Sequence, residues 1–227
     1  MDYSNFKIDM PNDVEFIINT IKSHGHQAYA VGGCVRDSIM GLTPNDWDIT
    51  TSALPSDIKE YFNKTIDTGI EHGTVTVMLH NVGYEVTTYR IDGEYKDGRH
   101  PSSVEFSDRL TDDLCRRDFT INAMAYNNIT GLVDEYGGID DIYNRIIKCV
   151  GNPIERFTED ALRMMRAIRF LKAVLASSGE HTKRIAANLS GSSLSVYLQV
   201  RSSFLAYLPV RLSAITGRIL LKRPVVA

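Results

Sequence analysis

At 227 residues, with 43% apolar side chains and a formal net charge of −3, the chain can bury a substantial core as one domain or two small ones. The slightly acidic balance excludes indiscriminate nucleic-acid binding, which draws on many Lys and Arg side chains, so any RNA contact must come from a local basic patch. No apolar run reaches membrane-spanning length, no basic start precedes an apolar stretch, and Cys34, Cys115 and Cys149 are far apart; a cytoplasmic chain with reduced thiols, no membrane anchor and no zinc frame is predicted.

Pro11-Asn12-Asp13 opens a helix whose Val14, Ile17, Ile18 and Ile21 form an apolar face, closed at Gly25. Ala28 to Val31 reads as a strand broken at Gly32-Gly33, and Cys34 to Met40 as a helix stopped by Gly41. Phosphate can sit at that junction, where backbone N–H groups point outward and missing Cβ atoms allow close approach; Arg36 adds a guanidinium one turn in. If Asp46 to Thr50 is a strand, alternation puts both carboxylates on one face and Trp47 and Ile49 on the other. Two such acids can hold Mg²⁺, which takes oxygen ligands; a D-x-D taken alone reads sooner as a solvated strand end or a turn cap after Pro44-Asn45, and the nearby Gly32-Gly33-x-x-Arg36 turns the reading toward the metal.

Leu54 to Asp57 starts a helix to about Phe62, and Thr65 to Asp67 reads as a strand. Gly73 to Leu79 and Tyr84 to Arg90 are β-rich runs joined by a turn over His80 to Gly83, with Glu85, Thr87 and Tyr89 on one face of the second. Glu85 is then either an edge charge or a member of an acidic cluster. Arg90 to Ser103 is rich in Gly and charge and reads as a mobile loop. Thr111-Asp112-Asp113 caps a helix expected to run to about Tyr126, carrying Arg116 and Arg117 about 100° apart, so that only one can aim easily at the strand-borne acids. Thr158 caps a further helix, Glu159 to about Ala176, with Leu162, Met165 and Ile168 as its core stripe and Asp160, Arg163, Arg166 and Arg169 at intervals of three on the other side.

Three ordered motifs carry a resemblance: Gly32-Gly33-x-Val35-Arg36-Asp37 before Asp46-x-Asp48, then Arg116 to Ala123, then Glu159-Asp160-x-x-Arg163. Together, over about Phe16 to Phe170, they resemble the head of the class II tRNA nucleotidyltransferases (the CCA-adding enzymes) and of bacterial poly(A) polymerases. The resemblance implies an α+β polymerase β-like nucleotidyltransferase palm, a mixed sheet flanked by helices, over 1–150. The start of an all-α neck, partial and divergent, follows over 151–227. It implies Asp46 and Asp48 as holders of catalytic Mg²⁺, Glu85 as a third carboxylate assisting the 3′-hydroxyl, and Gly33, Arg36 and Arg117 on the triphosphate. Arg116 would pair with a carboxylate, and the loop from Arg90 would serve the switch from C to A addition.

The resemblance further assigns Asp160 and Arg163 to the incoming base, with Arg166 and Arg169 near the nucleotide. Cytosine and adenine each present an amino donor beside an unprotonated ring nitrogen, so a carboxylate plus a guanidinium fits both and opposes uracil and guanine. The implied activity is template-independent transfer of CMP and AMP from CTP and ATP to the 3′ end of tRNA. Two other readings stay open: a poly(A) polymerase, or a remnant that binds nucleotide or RNA without turnover. Beyond Phe170 the match fails, and the Ser- and Leu-rich tail reads either as a natural divergent neck or as a truncated or frame-shifted end. Oligomeric state is not readable.

Overall fold

The computed structural model describes residues 6–95 and 101–176, with side chains through residue 170. The expectations for the tail after 176, and for the middle of the loop at 96–100, lie outside the described residues.

Helix α1 (Asn12–Ser23) buries Val14, Ile17, Ile18 and Ile21, the face expected from their spacing. Strand β1 (Ala28–Val31) is buried on both sides, and its alternation divides two cores. Ala28 and Ala30 join the large cluster under α1 with Ile49, Val75, Val77 and Val86. Tyr29 and Val31 join a smaller one with Tyr89, Leu114 and Ala125. β1 leads through Gly32 into α2 (Gly33–Ile39), and β2 (Ile49–Thr51) and α3 (Pro55–Tyr61) follow.

β3 (Thr65–Gly69) and β4 (Thr74–Leu79) precede β5 (Val82–Thr88). The β4–β5 turn is tighter than the four residues expected: His80 and Asn81 both take positive φ, 49° and 67°, the two-residue geometry whose twist matches paired strands. β6 (Arg90–Asp92) pairs with β7 (Val104–Phe106) as a separate ribbon, so both ends of the stretch expected to be a loop are ordered by backbone hydrogen bonds.

The helix expected from Thr111 to Tyr126 is much shorter. α4 spans only Leu110–Cys115 and is followed by a 3-10 turn (Thr120–Asn122) and strand β8 (Ala125–Asn127). Asp118 ends the helical run by accepting its neighbour Phe119's N–H at 2.8 Å, a local bond that competes with helix, and Ala125 and Tyr126 pair with β1 instead. β9 (Gly131–Val133) and α5 (Gly138–Asn144) complete the chain to Asn144.

The seven-stranded sheet runs β3-β4-β5-β2-β1-β8-β9, antiparallel except for the β2–β5 pair. This is the expected mixed sheet flanked by helices.

The single helix expected from Glu159 to Ala176 is two: α6 (Pro153–Glu159) and α7 (Leu162–Ala176). Asp160 breaks them, with extended backbone (φ −142°) and a carboxylate that accepts the Leu162 N–H at 2.8 Å, so Asp160 rather than Thr158 caps the second. The face is also reversed. Arg163, Ala167 and Phe170 are buried, whereas Leu162, Met165 and Ile168 are 48%, 65% and 49% exposed and do not form a core stripe. Phe170 packs edge-on against Phe119, with ring centroids 5.9 Å apart, which fixes this face inward. No helix among the described residues is long and apolar enough to cross a membrane.

Gly138 shows how closely α5 sits on the 3-10 turn: a Cβ there would press into the Thr120 carbonyl and come within 3.0 Å of Met124 Cγ. Alanine is favoured over glycine in helices by about 1 kcal/mol. At this position we expect the opposite sign, with Gly138→Ala destabilising by about 1–3 kcal/mol through overpacking, checked by thermal unfolding.

Candidate active site

β1 and β2 run antiparallel, so the end of one and the start of the other lie together, and the Val31 N–H donates to the Asp48 carbonyl at 3.0 Å. Asp46 and Asp48 precede the strand instead of lying within it, because only Asp48 has a backbone partner on β1. The alternation expected of them nevertheless holds: Trp47 and Ile49 are buried in the large core and both acids are exposed. β2 pairs in parallel with β5 with Ile49 opposite Val86, which brings Glu85 level with Asp48.

Three carboxylates therefore share one field. Although its side chain reaches solvent, Asp48 is held above the usual carboxylate range chiefly by desolvation from the protein packed around it; nearby Arg117 opposes the rise and Asp46 adds to it. Glu85 is raised as well, first by burial and then by Asp48 and Asp46. Among the described residues, no three His, Cys, Asp or Glu side chains converge as a preformed metal cage. What exists is an acid pair with excess negative charge, open to solvent. That donor set fits Mg²⁺, which keeps several of its ligands from water and substrate phosphates.

Beside the acids lies a cavity of about 670 Å³. Gly32, Gly33, Arg36, Asp46, Asp48, Arg116, Arg117, Asp160, Arg163, Arg166 and Arg169 all line it; Glu85 does not. Gly32 has φ 81° and ψ −123°, backbone that only glycine adopts readily, and a Cβ there would meet the Arg117 guanidinium at 3.0 Å. The bare backbone thus makes room for the arginine. Arg36 is buried, its donors turned to Asp37 (2.7 Å) and to the Asn122 side-chain oxygen Oδ1 (2.6 Å), with its guanidinium 4.8 Å from the Phe170 ring centre.

Arg116 and Arg117 do not divide as their 100° spacing suggests, because the chain leaves the helix at Cys115. Both reach Asp113, a fully buried carboxylate that sequence reading took only for part of a cap. Arg116 gives it two hydrogen bonds (2.9 and 2.6 Å) and lies 3.8 Å from Asp92, and Arg117 binds its other oxygen at 2.9 Å. Burial by itself would raise the Asp113 pKa; Arg117 and Arg116 outweigh it and hold the carboxyl below the usual range. The only available signal was an acid three and four residues before two adjacent arginines.

Asp160 and Arg163 both face the cavity but make no pair with each other. Arg163 is held at 2.7 Å by Glu159 and at 3.2 Å by the Arg156 carbonyl, 5.7 Å from the Tyr95 ring centre. Arg166 forms an ion pair with Asp118 at 2.9 Å, and with Arg169 it flanks Phe170. Asp118, Asn122 and Tyr95 also line the cavity; the first two fall inside the motif from Arg116 to Ala123 but were assigned no role from the sequence, and Tyr95 was not singled out. Of the three free cysteines, Cys34 and Cys149 are buried, their thiols pushed up to about 11 chiefly by that burial, while Cys115 is exposed.

Residues 28–148 match the family described as the Poly A polymerase head domain. The chain belongs to that family. Over 154 residues this head domain is 53% identical to the CCA-adding enzyme of Ligilactobacillus salivarius, covering 68% of this chain and 38% of that one. Over 168 residues it is 51% identical to the CCA-adding enzyme of a Geobacillus species, covering 74% and 42%. Among solved structures, the Bacillus stearothermophilus CCA-adding enzyme in complex with CTP superposes with a TM-score of 0.65 at 47% identity, over 71% of this chain and 40% of that one. The Thermotoga maritima CCA-adding enzyme complexed with tRNA(CCA) gives 0.55 at 27% identity, over 70% and 36%. The chain thus spans about two fifths of the length of the curated relatives it matches.

Raised carboxylates carry a stability consequence. Folded Asp48 and Glu85 bind protons more readily than when unfolded, so stability falls as pH rises from the ordinary carboxylate range through their raised values. In EDTA, Asp48→Asn is expected to raise the melting temperature at about pH 7, with the gap narrowing as the pH falls through the raised carboxylate range and the native carboxyl takes up its proton. Calorimetry from neutral pH downward checks it, and a lowered melting temperature at neutral pH would refute the raised proton affinity of Asp48.

Proposed function

We infer that the chain carries the catalytic head of a cytoplasmic, Mg²⁺-dependent nucleotidyltransferase that transfers CMP and AMP from CTP and ATP to the 3′ end of tRNA. The observation that carries this reading is the junction at Gly32 and Asp48, where a glycine turn and arginines meet an excess of negative charge at one mouth of a nucleotide-sized cavity. Membership of a head family whose similar relatives are named CCA-adding enzymes supports it.

In this reading Asp46 and Asp48 would hold Mg²⁺. Held by these acids in a two-metal-ion mechanism, Mg²⁺ would supply Lewis-acid polarisation of the α-phosphate and a lowered pKa for the attacking 3′-hydroxyl. Glu85, level with Asp48 on the neighbouring strand though outside the cavity lining, would assist in taking up the proton the hydroxyl loses, its own proton affinity being raised. The backbone of Gly33 and the guanidinium groups of Arg36 and Arg117 face the triphosphate and the charge that develops on departing pyrophosphate, and their ion-pair partners keep them oriented beforehand.

Asp160 uses one carboxylate oxygen to cap α7, which leaves the other for an exocyclic amine, while Arg163, fixed by Glu159, supplies the donor for a ring nitrogen. A bidentate pair of this kind discriminates by about 1–3 kcal/mol. Arg166 and Arg169 line the same cavity and add positive charge beside the nucleotide.

The test supplies the full chain with tRNA lacking its CCA end, Mg²⁺ and each nucleoside triphosphate in turn. Incorporation from CTP and then ATP is expected, and Asp48→Asn should abolish it. ATP-only tailing of generic RNA would make the chain a poly(A) polymerase, and binding without incorporation a non-catalytic remnant. Arg163→Ala should cost about ten- to a hundred-fold in C-over-U preference, measured as the ratio of kcat/KM values, more than it weakens triphosphate binding. Unchanged selectivity would remove the base-reading role.

A further inference from the structure

Asp113 is where three parts of the site meet. Its carboxylate is fully buried, and both oxygens are occupied. One takes the Arg116 Nε and terminal nitrogen at 2.9 and 2.6 Å. The other takes Arg117 at 2.9 and 3.3 Å and the Thr50 hydroxyl at 3.1 Å. Thr50 is two residues beyond Asp48 on β2 and, by alternation, on the same face, so the acid that gathers the arginines is fastened to the strand that presents the cation-binding acid.

This arrangement settles a competition. Arg117 and Asp48 line one cavity, Arg117 packing against Gly32 while the preceding Val31 bonds the Asp48 carbonyl, yet the ion pair of Arg117 within 4 Å, among the described residues, is with Asp113. Asp48 itself has no ion pair of that length among them. A guanidinium placed between two carboxylates pairs with the one that is better positioned, and Asp113, desolvated and anchored by Thr50, is that one. We propose that Asp113 is a positioning residue that keeps Arg117 off Asp48, leaving the acid pair free for a divalent cation and the guanidinium free for phosphate.

The proposal rests on the functional reading above and adds a role which that reading does not contain. Without its charge, a residue at 113 leaves Arg117 to fold onto Asp48, where it acts as a built-in competitor of the cation. The loss is then one that more cation overcomes, unlike a loss caused by misfolding. Titrating Mg²⁺ into the full chain with radiolabelled CTP, and reading retained nucleotide, gives the midpoint of cation dependence.

Asp113→Asn should raise that midpoint by about tenfold, the scale of one charged hydrogen bond gained by the competing pair, with CTP retention recovering at high Mg²⁺. Removing the competitor as well should cancel the shift: Asp113→Asn combined with Arg117→Gln should show the midpoint of Arg117→Gln alone. An unmoved midpoint in Asp113→Asn, or a shift that persists without Arg117, overturns the proposal, as does a loss of retention equal at all Mg²⁺ concentrations. If Asp113→Asn does not fold, Thr50→Val decides the matter, since it loosens the anchor while keeping the charge. A smaller shift in the same direction supports positioning, and none refutes it. Failure of the unaltered chain to bind CTP at any Mg²⁺ concentration would remove the functional reading and this proposal together, whereas normal binding with unmoved midpoints removes only the proposal.

Discussion

The antiparallel pairing of β1 with β2 is the constraint on which the site depends. It places the end of a strand that turns through Gly32 beside the start of a strand preceded by Asp48, with the Val31 to Asp48 hydrogen bond holding the two together. β5, parallel to β2, then brings Glu85 to the same level. Strand alternation makes this placement all or none. A slip of one residue would turn Asp48 into the large core and Trp47 out to solvent, so the buried indole enforces the register that exposes the acids.

Charge in the cleft is arranged by what each group already holds. Most of the lining arginines have a carboxylate partner: Arg36 has Asp37, Arg116 and Arg117 share Asp113, Arg163 has Glu159 and Arg166 has Asp118. The acids at Asp46, Asp48 and Glu85 have none of comparable closeness among the described residues; Asp46 adds to the proton affinity of Asp48, and both add to that of Glu85. Donors oriented in advance by such partners need not reorganise when charge develops in front of them, which is the arrangement electrostatic catalysis favours. Two of these partners, Asp113 and Asp118, are largely buried, where a carboxylate persists only with strong hydrogen bonds.

Local periodicity made much of the fold legible in the sequence. The α1 face, the β1 run, the turn at Gly32 and the acid pair opposite Trp47 all follow from spacing and residue type, because each is decided within a few residues. The failures share a different cause. Arg116 to Asn122 looked helical, but Asp113 and Asp118 draw side chains and a backbone N–H into local and tertiary bonds that a pattern of apolar residues does not reveal. On α7 the assumption that apolar side chains face inward picked the wrong side. The helix leans on a polar cavity, so Arg163 and Phe170 are buried and Arg166 and Arg169 line the cavity from its solvent side, while Leu162, Met165 and Ile168 point away. The cavity side chains could be nominated from the motifs, whereas Asp113 became visible only once three elements were folded together.

The unequal environments of the three thiols have a practical use. Cys34 and Cys149 are shut away and hold their protons tightly, while Cys115 stands in solvent directly before Arg116. A maleimide dye at neutral pH should therefore couple selectively to one atom, in the small hollow that Cys115 shares with Asp92 and Arg116, without any engineered cysteine. Its emission would then report, in real time, on changes around Arg116.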